Sequence, residues 1–342
     1  MRNALYIPLS WLYTLGVAIR HLLYDQRVLP SFSVKVPTIC VGNLAVGGTG
    51  KTPMTAYLVQ LLLANGYKPA VLSRGYKRAT HGFVMADSNS TVETIGDESM
   101  QLHRAFPEVP IAVCENRVRG AKQLMKQVDG LDVIVLDDAM QHRSLRCGFT
   151  ILLTPYDHLY IDDHMLPWGT LRDLPSRALK ADAVVVTKCP DGIRPIDMRV
   201  VDNRLHLPTY QLLHFAGIEY AAMEQEGTPL VLCGIAQPQY MMKYVLQHYP
   251  QAELMAYPDH HHYTPQDIDD IMERSRHFDF VLTTEKDIQR LRTTPLVERL
   301  QQQGKRLIAL PIRMRFCTPK EAFDRQILTY VHENRPKKHG TS

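Results

Sequence analysis

The stretch Gly42-Asn-Leu-Ala-Val-Gly-Gly-Thr-Gly-Lys-Thr-Pro53 constrains the chain more than any other. It follows an apolar run, Thr38–Val41, and opens a helical pattern from Met54 to Ala64 that stops at Asn65-Gly66, a pair suited to a left-handed C-terminal cap. Strand, glycine-rich turn and helix in this order are the context of a phosphate-binding loop. In such a loop Gly47, Gly48, Thr49 and Gly50 turn backbone N–H groups onto phosphate oxygens, and the helix N-terminus adds its partial positive charge. Lys51 then reaches the β- and γ-phosphates, Thr52 holds Mg²⁺, and Pro53 suits the first helical turn. The expected ligands are ATP and Mg²⁺. The general G-x-x-x-x-G-K-[ST] pattern has glycine where Ala45 stands, so the loop must turn there without glycine freedom.

From about residue 35, short β-rich runs alternate with helical stretches, which predicts a parallel sheet covered on both faces. Strands are expected at Thr38–Val41, Ala70–Ser73, Ile111–Cys114, Val133–Leu136, Thr150–Leu153 and Ala183–Thr187. A second alternation places strands at Leu230–Cys233, Glu253–Ala256, Phe280–Thr283 and Leu307–Leu310, with helices at Met241–His248, Pro265–Arg276 and Leu296–Gln303. The fold class is therefore α/β: a P-loop NTPase-like parallel-sheet domain over residues 31–215 and a smaller C-terminal α/β domain over 216–330, preceded by an N-terminal helix over 1–30 and followed by a polar tail over 331–342. The boundary falls in Leu205–Tyr220, which mixes Pro, Gly and β-formers.

With 342 residues, 45% of them hydrophobic, the chain can bury two cores and is not disordered. A net charge of +4 without a long Lys/Arg block argues against a nucleic-acid-binding stripe. Six cysteines without a CxxC pair indicate neither a zinc site nor a disulfide framework, which suits a reducing cytosol. Ala4–Ile19 carries no charge, yet is shorter than the ~20 residues that span a bilayer, and no cleavage site follows it. Trp11, Leu12, Leu15 and Ile19 recur at helical spacing, flanked by Arg2, Arg20, His21 and Arg27, as in a helix lying in a membrane interface. The same pattern suits a helix packed on the protein's own core, and the segment alone does not separate the two.

Further along, Val133-Ile-Val-Leu-Asp137-Asp138 is an apolar strand ending in two carboxylates, where a Walker-B group meets Mg²⁺. Strand-terminal aspartates also cap helices; Lys51-Thr52 upstream tips the reading toward the metal. Gly96-Asp97-Glu98 puts a carboxylate on a loop at the sheet edge, where it can accept the proton of an attacking hydroxyl. In Asp259-His260-His261-His262, neighbouring side chains point to alternate sides, so His–Asp pairing is favoured over a shared metal, with a purely structural loop as the other reading. Arg74, Lys77 and Arg78, Arg117 and Arg119, and Arg172 are basic groups suited to a substrate that carries its own phosphate.

Taken in order, GNLAVGGTGKTP, SRGYKR, GDE, LDDAMQHR, LPWGTLRD, DHHHY and TTEKD resemble the tetraacyldisaccharide 4′-kinase family, over residues from about 36 to about 290. The N-terminal apolar helix is similar to that family's as well. The resemblance implies transfer of the ATP γ-phosphate to the 4′-hydroxyl of a tetraacylated glucosamine disaccharide 1-phosphate, a lipid A precursor, by a peripheral or monotopic enzyme at the cytoplasmic face of the inner membrane. It implies Lys51 and Thr52 at the phosphates and Mg²⁺, Asp97 as the base with His260 as its partner, and Glu98, Asp137 and Asp138 as metal ligands or groups behind them. Arg74, Arg78, Arg119 and Arg172 are then the candidates for the acylated disaccharide phosphate. No nucleic acid and no obligate protein partner are called for. Ala139-Met140, Lys77 and Asp173 depart from the family pattern, where Gly-Phe, Gly and Glu are expected.

A P-loop switch protein is the rival class. Thr187-Lys188-Cys-Pro-Asp191 resembles a guanine-reading T-K-x-D, but Asp191 stands one residue too far along. A nucleic-acid-dependent ATPase would need an aromatic-basic stripe that the sequence lacks.

Overall fold

The computed structural model describes residues 6–223 and 225–336. Its strands, in chain order, are β1 (Thr38–Asn43), β2 (Pro69–Ser73), β3 (Val84–Met85), β4 (Ile111–Val113), β5 (Val133–Asp137), β6 (Phe149–Pro155), β7 (Ala183–Thr187), β8 (Leu212–Tyr220), β9 (Pro229–Cys233), β10 (Glu253–Ala256), β11 (Phe280–Thr284), β12 (Leu307–Leu310) and β13 (Ile312–Phe316). Nine form one sheet in the order β13-β8-β7-β6-β1-β5-β2-β4-β3 and four a second, β10-β9-β11-β12.

In the large sheet the inner pairings are parallel, and antiparallel β3 and β13 close its two edges. Every residue of β1, β2, β5 and β7 is buried, as expected of parallel strands covered on both faces. On one face the helix Lys51–Ala64 packs Leu58 and Leu62 against Val41, Val135 and Ile151; on the other, the helix Arg117–Gln127 sets Ala121 and Leu124 against Leu72 and Ala112. Because β1 lies between β5 and β6, with Val41 opposite Asp137 and Ile151, the phosphate-binding loop and the two aspartates leave the sheet side by side at its carboxyl edge.

The second sheet is wholly parallel. The helix Gln239–His248 covers one face through Met241 and Val245, and Pro265–Ser275 covers the other through Ile268, Ile271 and Met272.

Two segments depart from the sequence expectation. The stretch read as a mixed boundary is largely the strand β8, whose His214–Gly217 are buried between β7 and β13. The chain also leaves the small sheet before residue 330: β13 returns to the large sheet, and the helix Lys320–Asn334 buries Phe323, Ile327 and Val331 beneath it. The polar tail therefore starts beyond Val331, and residues 337–342 lie outside the described ones.

The N-terminal helix runs Ile7–Asp25, while residues 1–5, Arg2 among them, lie outside the described residues. It docks by its polar side. Ser10 Oγ donates to the Met165 carbonyl (2.8 Å), Tyr13 Oη to the Arg172 carbonyl (3.1 Å), and His21 Nε2 meets Asp173 Oδ1 at 2.5 Å. Trp11, Leu12, Leu15, Ile19 and Leu22 are left exposed on the opposite side, the inverse of a helix packed on its own core. Among the described residues no helix is long and apolar enough to cross a membrane.

Candidate active site

The loop after β1 has the shape that its glycines predict. Gly47 and Gly50 sit at φ 106° and 92°, and Gly50 is the residue before the helix that starts at Lys51. Ala45, placed where the general pattern has glycine, needs no left-handed backbone: it forms a bridge to Leu171, and Val46 N donates to the Thr170 carbonyl. On the other side Thr187 Oγ1 donates to the Thr49 carbonyl at 2.8 Å. Thr52 occupies the first helical turn, half-buried.

Beside the loop stand the two aspartates at the end of β5, in opposite electrostatic states. Asp138, at φ 50°, faces Lys51 Nζ at 3.9 Å and is gripped by both Arg172 Nη atoms. Burial pushes its carboxyl up, but Lys51 and Arg172 outweigh this and hold it below the ordinary carboxylate value. Asp137 accepts from Thr55 Oγ1 (3.2 Å), while its Oδ2 is buried with no partner. Burial first, then the nearby charges of Glu98 and Asp138, push it up to about 7. An orphaned carboxylate oxygen within reach of Glu98's charge is a hard-oxygen donor of the kind that suits Mg²⁺. Among the described residues no group of three His, Cys, Asp or Glu side chains is placed to hold a metal ion.

The third group spans the two sheets. Asp97 opens the helix Asp97–Ala105 after Gly96, whose φ of 84° lets the chain pass close to the Tyr76 carbonyl. Its carboxyl is buried. Oδ2 lies 2.9 Å from His260 Nδ1 and 3.4 Å from Arg290 Nη1. Burial raises the Asp97 carboxyl, but His260, Lys286 and Arg290 together bring it below its ordinary value, so it is ionised. His260 itself is held at φ 58° with its ring edge-on to Tyr76. Lys286 Nζ reaches His260 Nε2 at 3.0 Å, Glu98 at 3.2 Å and Asp259 at 3.4 Å. An ammonium can only donate, so Nε2 accepts and the imidazole proton sits on Nδ1, pointing at Asp97. Burial lowers Lys286, but Glu98, Asp97 and Asp259 more than compensate and keep it charged. His261 pairs instead with Asp267 at 3.0 Å.

Lys286 and Arg290 carried no assigned role in the sequence. They follow β11 at its carboxyl edge, where small-sheet ligand groups gather. Asp287, fully buried, ties this turn down by accepting from Gly234 N and Thr284 Oγ1 and pairing with Arg290.

The basic candidates divide into two kinds. Arg74 and Arg119 are exposed, whereas the Arg78 side chain is buried against Glu115 (2.5 Å) and Arg172, half-buried, holds Asp138 and Asn43. Arg117 is fully buried and donates to the Cys114 carbonyl (2.7 Å). Asp191 pairs with Arg315 at the surface and Lys188 with Gln237, so the pattern resembling a guanine reader does not assemble. Ala139 and Met140 are absorbed in the core, with Met140 packed over Gly42.

A curated relative from Flavobacterium johnsoniae, a tetraacyldisaccharide 4′-kinase, is 42% identical over 339 residues, 96% of each chain. One of the same name from Bacteroides thetaiotaomicron is 40% identical over 96% of this chain and 93% of that protein. A crystal structure of LpxK from Aquifex aeolicus in complex with ATP superposes with a TM-score of 0.73 at 25% identity, over 97% of this chain and 99% of that one. The family model described as tetraacyldisaccharide-1-P 4′-kinase matches residues 2–332, and the chain belongs to that family.

Proposed function

We propose that this chain transfers the γ-phosphoryl group of ATP to the 4′-hydroxyl of a tetraacyl glucosamine disaccharide 1-phosphate at the cytoplasmic face of the inner membrane. The observation that carries this reading is the buried, ionised Asp97, held by His260, Lys286 and Arg290 while its neighbour Glu98 acts on Asp137 beside the phosphate-binding loop. An unprotonated carboxylate next to a triphosphate site can accept a hydroxyl proton, and phosphoryl transfer demands positioning and charge neutralisation more than covalent chemistry.

In this reading Lys51 and the loop amides hold the phosphates, and Thr52, Asp137 and Glu98 hold Mg²⁺, with Asp138 locked behind them by Arg172. When bound, the ion offsets charge on the phosphate oxygens. The Asp97 carboxylate takes the proton of the sugar hydroxyl, and His260 keeps it aimed. Arg74 and Arg119 are the exposed cations available to the substrate's own phosphate, whereas Arg78 and Arg172 act through Glu115 and Asp138. We place the domain boundaries so that residues 31–220 and 312–334 form the large unit and 221–311 the small one, with their closure bringing His260 to Asp97 and excluding water.

The exposed face of the N-terminal helix supports membrane attachment, since Trp11, Leu12, Leu15, Ile19 and Leu22 form an apolar strip that no described residue covers. The test is incubation with γ-labelled ATP and an acylated disaccharide 1-phosphate in vesicles, followed by mass measurement of the lipid. A gain of one phosphate supports the reading. Release of free phosphate alone, with preference for GTP, supports a switch protein instead.

A further inference from the structure

One short segment, residues 163–173, touches both the N-terminal helix and the phosphate-binding loop. On the helix side it receives Ser10 Oγ at the Met165 carbonyl, Tyr13 Oη at the Arg172 carbonyl and His21 Nε2 at Asp173 Oδ1. Loop-side contacts are more numerous: the Thr170 carbonyl accepts from Val46 N (2.8 Å), Leu171 bridges Ala45, Arg172 N donates to the Leu44 carbonyl (2.8 Å), and the Arg172 side chain clamps Asn43 and Asp138. The segment is itself fixed internally by Asp163, which accepts from His164 N and Thr170 N.

The pin between helix and strap is oriented at both ends. His21 Nδ1 faces Arg143 Nη1 at 3.1 Å, and a guanidinium only donates. Nδ1 therefore accepts, the ring proton sits on Nε2, and it points at Asp173. Asp173 is buried, and its second oxygen, Oδ2, has no partner. Its Oδ1 also accepts from Leu174 N at 2.9 Å, within the same stretch of chain, so His21 is the contact that ties it to the N-terminal helix.

We infer that the 163–173 strap couples membrane docking of the N-terminal helix to the nucleotide site, with His21 and Asp173 as positioning residues. This rests on the membrane and nucleotide reading given above. Without a bilayer, the helix exposes Leu9, Trp11, Leu12, Leu15, Ile19 and Leu22 to water and is held from its other side, by its polar contacts and by Val17 against the core. Seating that strip in lipid immobilises the helix, the helix immobilises the strap, and the strap fixes Leu44–Val46 and Asp138 before ATP arrives. A site ordered in advance binds its ligand more tightly, because part of the ordering entropy is already lost.

The experiment measures the affinity of the full chain for a fluorescent ATP analogue, with and without vesicles of phosphatidylethanolamine and phosphatidylglycerol that contain no acceptor lipid. Wild type should bind about fivefold or more tightly on vesicles, the lower end of typical coupling between sites. His21→Gln, which keeps one donor for Asp173 and one acceptor for Arg143, should retain the gain. His21→Leu, similar in bulk but without polar atoms, should lose it while sedimenting with vesicles as wild type does. A merely space-filling His21 would give the opposite ranking and overturn the inference. Tyr13→Phe, which removes only the hydroxyl, is the second variant, should His21→Leu fail to fold; it should lose part of the gain, and full retention counts against the strap. Equal wild-type affinity in both conditions, despite sedimentation, overturns the inference alone. Failure to sediment overturns it together with the membrane reading, and failure to bind the analogue anywhere overturns the kinase reading.

Discussion

His260 Nδ1 stands 2.9 Å from Asp97 Oδ2, although 163 positions separate them in the chain. Asp97 belongs to a helix beside the large sheet and His260 to the loop after β10, so the proposed base is complete only when the two sheets are in contact. This makes the pair both a chemical group and a report on the arrangement of the two halves.

Replacing Asp97 by Ala is expected to lower kcat by about 10²–10⁴-fold, the usual range for a positioned base. Nucleotide affinity should change little, since Asp97 contacts none of the loop residues Gly47–Thr52. Steady-state kinetics together with equilibrium binding of the nucleotide check both halves, and near-normal turnover would remove Asp97 from the role.

Lys286→Met tests the cation behind the dyad. Burial alone would raise the Asp97 carboxyl, and Lys286 is one of three groups that reverse this. Its removal should let the carboxyl drift upward and leave His260 Nε2 without its donor. The acidic limb of the kcat/KM profile is therefore expected to move to higher pH, and kcat to fall by about 10²-fold through misplacement of the imidazole. An unshifted limb would mean that Lys286 acts only in packing.

Asp137 predicts a stability trend of the opposite sign from a salt-bridged carboxylate. Its folded value, about 7, lies above the unfolded one, so its contribution is fully present below the ordinary carboxylate value and is lost as pH rises through about 7. Asp137→Asn should therefore gain stability over wild type progressively from about pH 4 to about pH 7 in metal-free buffer, with a plateau above. Denaturant unfolding of both proteins across that window checks the slope. Added Mg²⁺ should stabilise wild type more than the variant, because it binds the ionised form.

The parts of this fold that announced themselves in sequence are those with a strong local reason for their shape. The loop at Gly47–Thr52 did so because glycines at φ 106° and 92° are required there, and β5 because both its faces are buried. The strand β8 did not: its ends are partly exposed, and its middle contains Gly217, required where the Cys189 carbonyl passes close by, so the segment read as a domain boundary. β13 follows Pro311 and alternates buried Met314 with exposed Arg313 and Arg315, a pattern too short to separate from a loop. At the site, the pairing of Asp97 with His260 was expected from the family resemblance, whereas Lys286 and Arg290 carried no role in the sequence reading. Their significance comes from the packing of β11's edge against the helix at Asp97, which no local pattern encodes.

The exposed strip of the N-terminal helix can be tested without disturbing its docking. Trp11→Ser and Leu15→Ser alter side chains that point away from Met165, Arg172 and Asp173. Each removes an apolar group worth roughly 1.5–3 kcal/mol when buried in lipid, so the pair should weaken vesicle partitioning by about 10²-fold or more. Sedimentation measures the partitioning, and an unchanged thermal midpoint shows that the fold is intact. Equal partitioning of the double variant and wild type would mean that some other surface meets the membrane.

Gly42 tests how the core carries the departure at Ala139-Met140. A Cβ added at Gly42 would lie 2.5 Å from Met140 Cβ, a contact between two short, stiff attachments that no rotamer change relieves. Gly42 sits at the carboxyl end of β1 and leads directly into the phosphate-binding loop, with Leu152 as its neighbour on β6. Gly42→Ala must therefore displace either the β5 turn that carries Asp138 or the start of the loop itself. Overpacking of this kind costs about 1–3 kcal/mol. The expected result is a lowered unfolding midpoint together with weakened nucleotide affinity. Adding Met140→Ala would not relieve the clash, since Cβ remains, whereas Met140→Gly should restore much of both, so the double-variant cycle locates the strain at this one contact.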